Sequence, residues 1–278
     1  SQGSVKLMFR SPENAIDELI TTLEKYPADR VSFADDNLTI SKKWFMTFMD
    51  LYIEKVNLPF QFQATVNTLS EDIIKKLAQA RAKIVRIAME TTNETIRNDV
   101  LLRPKYTNKE FSEAIANLHK HKIKVVMLNM FGIPTQTLDD CDEIFNFANT
   151  HKVVMCTNIL VPYKGTAMYN YCIENDLLVD DYNTQDEGDL YVNTASIKGE
   201  EMERMVTMQN YTFLLNYVRP AIKVIRYLTK FKAFRSASHK IVTPVNVAVM
   251  NFAGYIGLFS VGRIIPMGLR VLSSYIRN

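Results

Sequence analysis

The residues of this 278-residue chain best placed to do chemistry fall in five short polar clusters, each of which ends an apolar segment. They are Asp35-Asp36-Asn37, Thr65-Val66-Asn67-Thr68, Glu90-Thr91-Thr92, Gly132-Ile133-Pro134-Thr135-Gln136 and Pro162-Tyr163-Lys164-Gly165-Thr166. Carboxylates in such positions accept strong hydrogen bonds from amines and hydroxyls. Glycine at a turn lets backbone approach a ligand closely. Any one cluster would serve as an ordinary turn or helix cap. Clusters at the ends of successive strands describe a binding rim, because sites in βα barrels form at the carboxyl ends of the strands.

The elements that position these clusters alternate. Ser11 and Pro12 open a helix carrying Ile16, Leu19, Ile20 and Leu23. A short strand follows at 30–34. Ser41 is placed to cap a helix with Phe45, Phe48, Met49, Tyr52 and Ile53 on one stripe. Strand 60–64 precedes a helix opened by Ser70, and strand 84–89 precedes a helix marked by Phe111, Ile115 and Leu118. Strand 125–131 leads to a helix from Thr137 to about 149, and strand 153–160 to a helix from about 167 to 175. Strand and helix in alternation imply parallel strands joined by right-handed helical crossovers. The predicted fold is therefore α/β, a partial, incomplete TIM-like βα barrel with a C-terminal helical extension. The predicted division is a core at 1–198 and an extension at 199–278, with 176–198 a polar loop and Pro220 a break or helix start. Because the first element is a helix, the strand before it is expected to be missing.

Period-two alternation points Phe60 and Phe62 at the helices and turns Gln61, Gln63 and Thr65 into the bore. Val85, Ile87 and Met89 likewise turn Arg86 and Glu90 inward, and Val31 and Phe33 turn Ser32, Ala34 and Asp36 inward. A bore lined by such groups is costly unless they are paired or wet. The pattern reads as an open, ligand-holding bore, with a self-satisfied network such as Arg86–Glu90 or Glu90–Arg97 as the alternative.

Cys141, Cys156 and Cys172 match no zinc or cluster spacing and no disulfide framework, so a reducing, cytoplasmic setting is expected. The four histidines stand singly near helix ends or loops and support no metal site. The net charge of +3 is unevenly spread. From Met205 onward there is no Asp or Glu and there are ten Lys and Arg, which predicts an anionic partner for the tail. Arg219, Lys223, Arg226 and Lys230 form a basic face, and Val224, Leu228 and Phe231 an apolar one. Residues 241–262 carry no charge, although Pro244, Asn246, Asn251, Gly254 and Gly257 weaken a spanning helix. The tail is thus read as either a membrane-surface element or a helical cap on the barrel, and nucleic acid is not its expected partner. The stripe of Met202, Met205, Met208, Tyr211, Phe213 and Tyr217 reads as helix packing, or else as a lid over substrate.

Several segments carry a family resemblance. Residues 31–39 (VSFADDNLT) resemble the second-strand motif of radical S-adenosylmethionine (SAM) enzymes, especially those with an upstream cobalamin-binding domain. Residues 87–94 (IAMETTNE) resemble the fourth-strand G-I-E-S-G-S/N-E/Q segment, and 130–137 (MFGIPTQT) the G-F/L-P-G-E-T turn. Residues 161–169 (VPYKGTAMY) resemble P-Y-P-G-T-x-L-Y, and 175–178 (NDLL) the x-G-L-L that follows. The order and spacing agree over about residues 5–180. Thr92, Thr135 and Gln136 stand where the family has Gly, Gly and Glu, which stiffens the turn and removes a charge. The C-x-x-x-C-x-x-C loop that holds the family's [4Fe–4S] cluster is not in this chain, and on the family pattern it would lie shortly before Ser1. The resemblance implies an enzyme that reductively cleaves SAM to a 5′-deoxyadenosyl radical. With cobalamin from a separate N-terminal domain, it implies methyl transfer or rearrangement. It further implies an electron donor and a small-molecule or lipid-like substrate. The alternative is a cluster-less scaffold or membrane-associated module. Cofactor-binding roles fall by resemblance on Asp35, Asp36, Asn37, Glu90, Gly132, Pro134, Pro162, Tyr163 and Gly165. Asn129 joins them, although alternation leaves open whether it or Asn158 faces the bore.

Overall fold

The computed structural model describes residues 8–103, 106–180 and 196–242. Five strands form one sheet in the order β1-β2-β3-β4-β5. They are β1 (Val31–Ser32), β2 (Phe60–Ala64), β3 (Ala82–Glu90), β4 (Lys124–Phe131) and β5 (Val154–Ile159), and the crossovers between them are helical. β1 pairs with β2, β2 with β3 and β4 with β5 in parallel. The fold is the expected incomplete βα barrel. The chain divides into two compact units, one comprising residues up to Ile87 together with Lys109–Val125 and the other Ala88–Asn108 with the residues from Val126 on.

In the first unit, α1 (Pro12–Lys25) starts as its sequence predicts. The Ser11 hydroxyl accepts from Asn14 N at 3.2 Å, and proline occupies the first turn, where its missing N–H costs nothing. α2 (Lys42–Lys55) buries Phe45, Phe48, Met49 and Tyr52. Their partners are the outward faces of β1 and β2: Tyr52 and Phe60 meet edge to face at 5.3 Å, as do Phe33 and Phe60. Such pairs add about 0.5–1.5 kcal/mol each beyond the area they bury. α3 (Glu71–Gln79) contributes Ile73, Ile74 and Leu77, and α4 (Asn108–Lys120) contributes Phe111, Ile115 and Leu118. Two local expectations need correction. Ser41 and Ser70 occupy N-cap positions but their hydroxyls accept no capping bond, and Ser70 instead donates to Asp72 at 2.6 Å. The first strand is also shorter than 30–34. After Phe33 N donates to Gln61 O at 3.0 Å, the chain leaves the ladder and winds around Asn37.

In the second unit, Phe131 of β4 meets Phe145 of α5 (Leu138–Thr150) at 5.9 Å. α5 opens with a complete capping box: Asp140 N donates to the Thr137 hydroxyl at 3.2 Å, and Thr137 N donates to Asp140 Oδ2 at 2.7 Å. Thr166 caps α6 (Ala167–Glu174) with its hydroxyl alone, which accepts from Tyr169 N at 3.1 Å. The 176–198 segment expected as a loop is pinned at both ends by an antiparallel bridge between Leu178 and Ile197. These two residues bury with Leu160 and Cys172.

The helices after Gly199 are integral to this unit. In α7 (Glu200–Asn210), Glu201 accepts from Leu138 N at 3.0 Å, and Gln209 donates to Thr157 O at 3.0 Å. Beyond α8 (Thr212–Leu215), the Asn216 amide accepts from Met155 N at 2.8 Å and donates to Met155 O at 2.9 Å. Pro220 stands at the start of α9 (Ala221–Leu228). Among the described residues no helix is long and apolar enough to cross a membrane, and residues 243–262 of the uncharged run lie outside them.

Candidate functional site

The polar residues of the strand ends are placed by alternation. On β2, Phe60, Phe62 and Ala64 are buried, while Gln61 and Gln63 are half-exposed on the opposite face, where Gln61 donates to the Ser32 hydroxyl at 2.9 Å. Register pairs Gln63 with Arg86, so the bore face of the first unit carries Ser32, Gln61, Gln63 and Arg86, as predicted.

At the end of β1 the three neighbouring polar residues separate in role. Asn37 uses its whole side chain to build the turn. It donates to Thr65 Oγ1 at 2.8 Å and accepts from Thr39 N at 3.2 Å, Thr39 Oγ1 at 3.0 Å and Thr68 Oγ1 at 3.3 Å. Of the two readings of Asn37, the turn is the one the geometry satisfies. Asp35 and Asp36 are exposed and open, with Ser32, Arg10 and Trp44, onto a cavity of about 710 Å³. That is the volume range of small-molecule sites.

In the second unit the central group is Glu90. It ends β3 at φ +62°, a left-handed conformation that a non-glycine residue adopts at a cost. Only 5% of it is exposed, and its carboxylate accepts from Arg103 Nη2 at 2.5 Å. Burial raises the Glu90 pKa above the ordinary carboxylate value, and the Arg103 charge and hydrogen bond oppose this without cancelling it. The predicted partners Arg86 and Arg97 do not hold Glu90. Arg97 is instead wholly buried and organises the loop that delivers Arg103. It donates to Thr91 O at 2.6 Å, Tyr106 O at 2.9 Å and Asn108 Oδ1 at 3.0 Å, and Arg103 N donates to Arg97 O at 3.1 Å. Asn108 in turn donates to Thr92 O at 2.8 Å, and Asn93 donates to Asp140 at 2.8 Å. The loop includes a π-helical turn at Ile96–Val100. Arg103 and Arg97 were missed as site residues. The available signal was a buried strand-end carboxylate, which requires a cation from nearby chain.

The turn after β4 takes left-handed backbone at two residues. Gly132 has φ +77° and Thr135 φ +69°. Gln136, buried, closes the turn by donating to Met130 O at 3.1 Å and accepting from Ile133 N at 3.3 Å. Pro134 is buried within it. Leu160 N donates to Phe131 O at 2.9 Å, which sets the Pro162 turn beside the Gly132 turn. There Pro162 is buried, Tyr163 and Gly165 are exposed, and Thr166 Oγ1 donates to Tyr163 O at 2.6 Å.

Asn129 is a correction. It lies on the Phe131 side of β4, which faces α5, and is 1% exposed with its amide donating to Thr157 Oγ1 at 2.9 Å. It therefore lies off the rim. Asn158, one residue out of phase, is the exposed one. Cys141 and Cys172 are buried and Cys156 half-buried, each separate, and burial pushes the Cys141 and Cys172 thiols up. Among the described residues no group of three or more His, Cys, Asp or Glu could hold a metal.

Comparison with known proteins agrees with this architecture. A methyltransferase of Pyrococcus horikoshii described as uncharacterized is 23% identical over 221 residues, covering 77% of this chain and 46% of that protein. The bacteriochlorophyllide d C-12(1)-methyltransferase of Chlorobaculum tepidum is 23% identical over 167 residues, covering 58% of this chain and 36% of that protein. The chain thus spans less than half the length of the curated relatives it matches. Among solved structures, the radical SAM methyltransferase TsrM of Kitasatospora setae, with cobalamin and a [4Fe–4S] cluster bound, superposes with a TM-score of 0.52 at 14% identity over 60% of this chain and 34% of that one. The cobalamin-dependent radical SAM enzyme OxsB does so with a TM-score of 0.52 at 11% identity over 96% of this chain and 45% of that one. At these identities the likeness shows the fold alone. The family profile described as the Radical SAM superfamily matches residues 2–148, more than half of the chain, and the chain belongs to that superfamily.

Proposed function

We propose that the second unit binds SAM along its strand-end rim, as part of a cobalamin-type radical SAM enzyme that transfers methyl groups or rearranges a small-molecule substrate. The observation that carries this reading is Glu90: a buried carboxylate, strained at the carboxyl end of a strand and held by one half-exposed arginine. Such a group suits hydroxyls and an amine better than bulk water, because a charge-assisted bond gains strength out of solvent. The Gly132–Gln136 turn is assigned to the planar part of the ligand, with buried Pro134 beside it. Pro162, Tyr163 and Gly165 form the wall beside it. SAM supplies, when bound, the group that the reaction transfers or activates. The chain's own residues bind it, orient it and exclude water. In the first unit, the cavity at Asp35 and Asp36 is assigned to an amine- or hydroxyl-bearing ligand.

The described residues do not fit a [4Fe–4S] cluster, because the three thiols are dispersed. In this proposal its ligands and the cobalamin come from polypeptide outside these residues, and an external donor supplies electrons. Residues 1–198 then act as the core, with 199–278 as its helical extension. The test is saturation-transfer NMR of SAM with the purified chain. Wild type should give transfer to adenosine protons, and Glu90→Gln should weaken binding about tenfold or more. Equal binding by both forms would remove Glu90 from the site. No binding by wild type would leave a non-catalytic scaffold. Reconstitution of the chain with iron and sulfide should give no stoichiometric cluster absorbance and no SAM cleavage.

A further inference from the structure

The basic residues of the C-terminal helices are sorted by direction, and sequence periodicity does not show this. The arginines turn inward. Arg226 pairs with Asp139 and Asp142 of α5, Arg235 with Glu200 and Glu203, and Arg219 donates to Asn149 O at 2.8 Å. Lys223, Lys230, Lys232 and Lys240 all face solvent, and none carries an ion pair among the described residues. The basic face expected from sequence therefore loses Arg226, and the half-buried Leu228 leaves the expected apolar one.

Between these lysines stand large apolar side chains. Val224 is 59% exposed, Tyr227 57% and Phe231 49%. The rings of Tyr227 and Phe231 meet edge to face at 5.6 Å, and Lys230 Nζ lies 5.5 Å from the Tyr227 ring. Ile225 is buried on the opposite side of α9. The helix thus has two apolar faces, and the protein covers one. An apolar face that also carries aromatic rings and lysines suits an interface that is oily below and anionic above. After a turn at 229–231, helical backbone resumes over 232–242, and exposed Ile241 begins the 22-residue stretch without a charged side chain that ends at Gly262.

We propose that this face docks on the surface of an anionic lipid bilayer, with Val224, Tyr227 and Phe231 at the headgroup–acyl boundary and the four lysines against lipid phosphates. Charge complementarity selects the partner, since no acidic residue follows Glu203 in the chain. Nucleic acid fits less well. Arg219, Arg226 and Arg235, the described arginines of the segment, are engaged within the protein, and exposed Val224 and Phe231 gain little against a phosphate backbone.

The experiment is flotation of the full 278-residue chain with phosphatidylcholine vesicles, with and without phosphatidylglycerol. The chain should rise with the phosphatidylglycerol vesicles only, and high salt should release it. Lys223→Gln/Lys230→Gln/Lys232→Gln should lower partitioning by roughly a hundredfold. Val224→Ser/Phe231→Ser should lower it as well, with the circular dichroism spectrum unchanged, because all five positions are exposed. As a second measurement, Tyr227→Trp should be quenched by brominated lipid in phosphatidylglycerol vesicles, with the wild-type chain and its Trp44 as the control. The proposal is overturned if the chain stays with the soluble fraction, floats equally on neutral vesicles, or floats undiminished as the triple-Gln variant. It also falls if the lysines retain duplex DNA while vesicles go unbound, or if the Val224–Phe231 face drives dimerisation without flotation.

Discussion

Replacing Arg97 with methionine tests whether the loop after β3 is held from within. The side chain has no exposed surface, donates to Thr91 O, Tyr106 O and Asn108 Oδ1 at 2.6, 2.9 and 3.0 Å, and lies 3.7 Å from the Glu94 carboxylate. Methionine fills similar volume without a donor. The Asn108 amide can rotate toward water at the rim of a polar cleft, but the two backbone carbonyls cannot move without the loop. Leaving each unsatisfied costs about 1–3 kcal/mol. The removed charge recovers some desolvation, so a net loss of roughly 2–4 kcal/mol is expected. Urea denaturation followed by circular dichroism measures the global part. Hydrogen exchange of the 91–108 amides measures the local part, and it should rise before the rest of the unit opens. The reasoning fails if the variant loses less than about 1 kcal/mol and exchange in the loop is unchanged, because satisfied carbonyls would then not depend on Arg97.

Thr135→Gly should stabilise the chain by about 0.5–1 kcal/mol, because a β-branched residue at φ +69° costs more than the extra backbone entropy of glycine; a lower urea midpoint would contradict this. Glu90 has a raised pKa in the folded state, so its contribution is fully present below the ordinary value of 4.5 and is lost as pH rises through the higher folded value. Wild type should therefore lose stability relative to Glu90→Gln as pH climbs upward from 4.5, and parallel curves for the two would refute the shift. Thr137→Ala removes the acceptor for Asp140 N and should cost about 1 kcal/mol in thermal or urea unfolding.

Much of this architecture could be read before any coordinates, and particular residues show why. Phe60 and Phe62 alternate with Gln61 and Gln63 so cleanly that only one strand phase buries the rings. Ser11-Pro12 and Thr137 mark helix starts by local chemistry, which needs no tertiary information. The polar strand ends were legible for the same reason. Three things were not. Ser41 and Ser70 have the right type for a cap, but whether a hydroxyl turns back to the helix depends on competing partners such as Asp72. Asn129 and Asn158 stand on opposite faces of two strands whose flanks are apolar throughout, so period two gives no phase. Arg103 lies 13 residues beyond Glu90, and only the folded loop, knotted around buried Arg97, brings the two together.

The side-chain amides of Asn216 and Gln209 have a consequence for the sheet itself. In a strand, successive backbone groups point to alternate sides, and Leu160 N points to β4, so Met155 and Thr157 direct theirs away from it. Those are the groups that Asn216 and Gln209 occupy. Asn216 reproduces with one amide the paired donor and acceptor that another strand would offer. The outer margin of β5 is thus occupied at Met155 and at Thr157 O, and a stray strand from another molecule would have to expel two half-buried amides before it could add. Where many proteins guard such a margin with a lysine or a proline, this one uses a decoy strand made of side chains. The sheet can lengthen on that side only if α7 and the turn at Asn216 first come away.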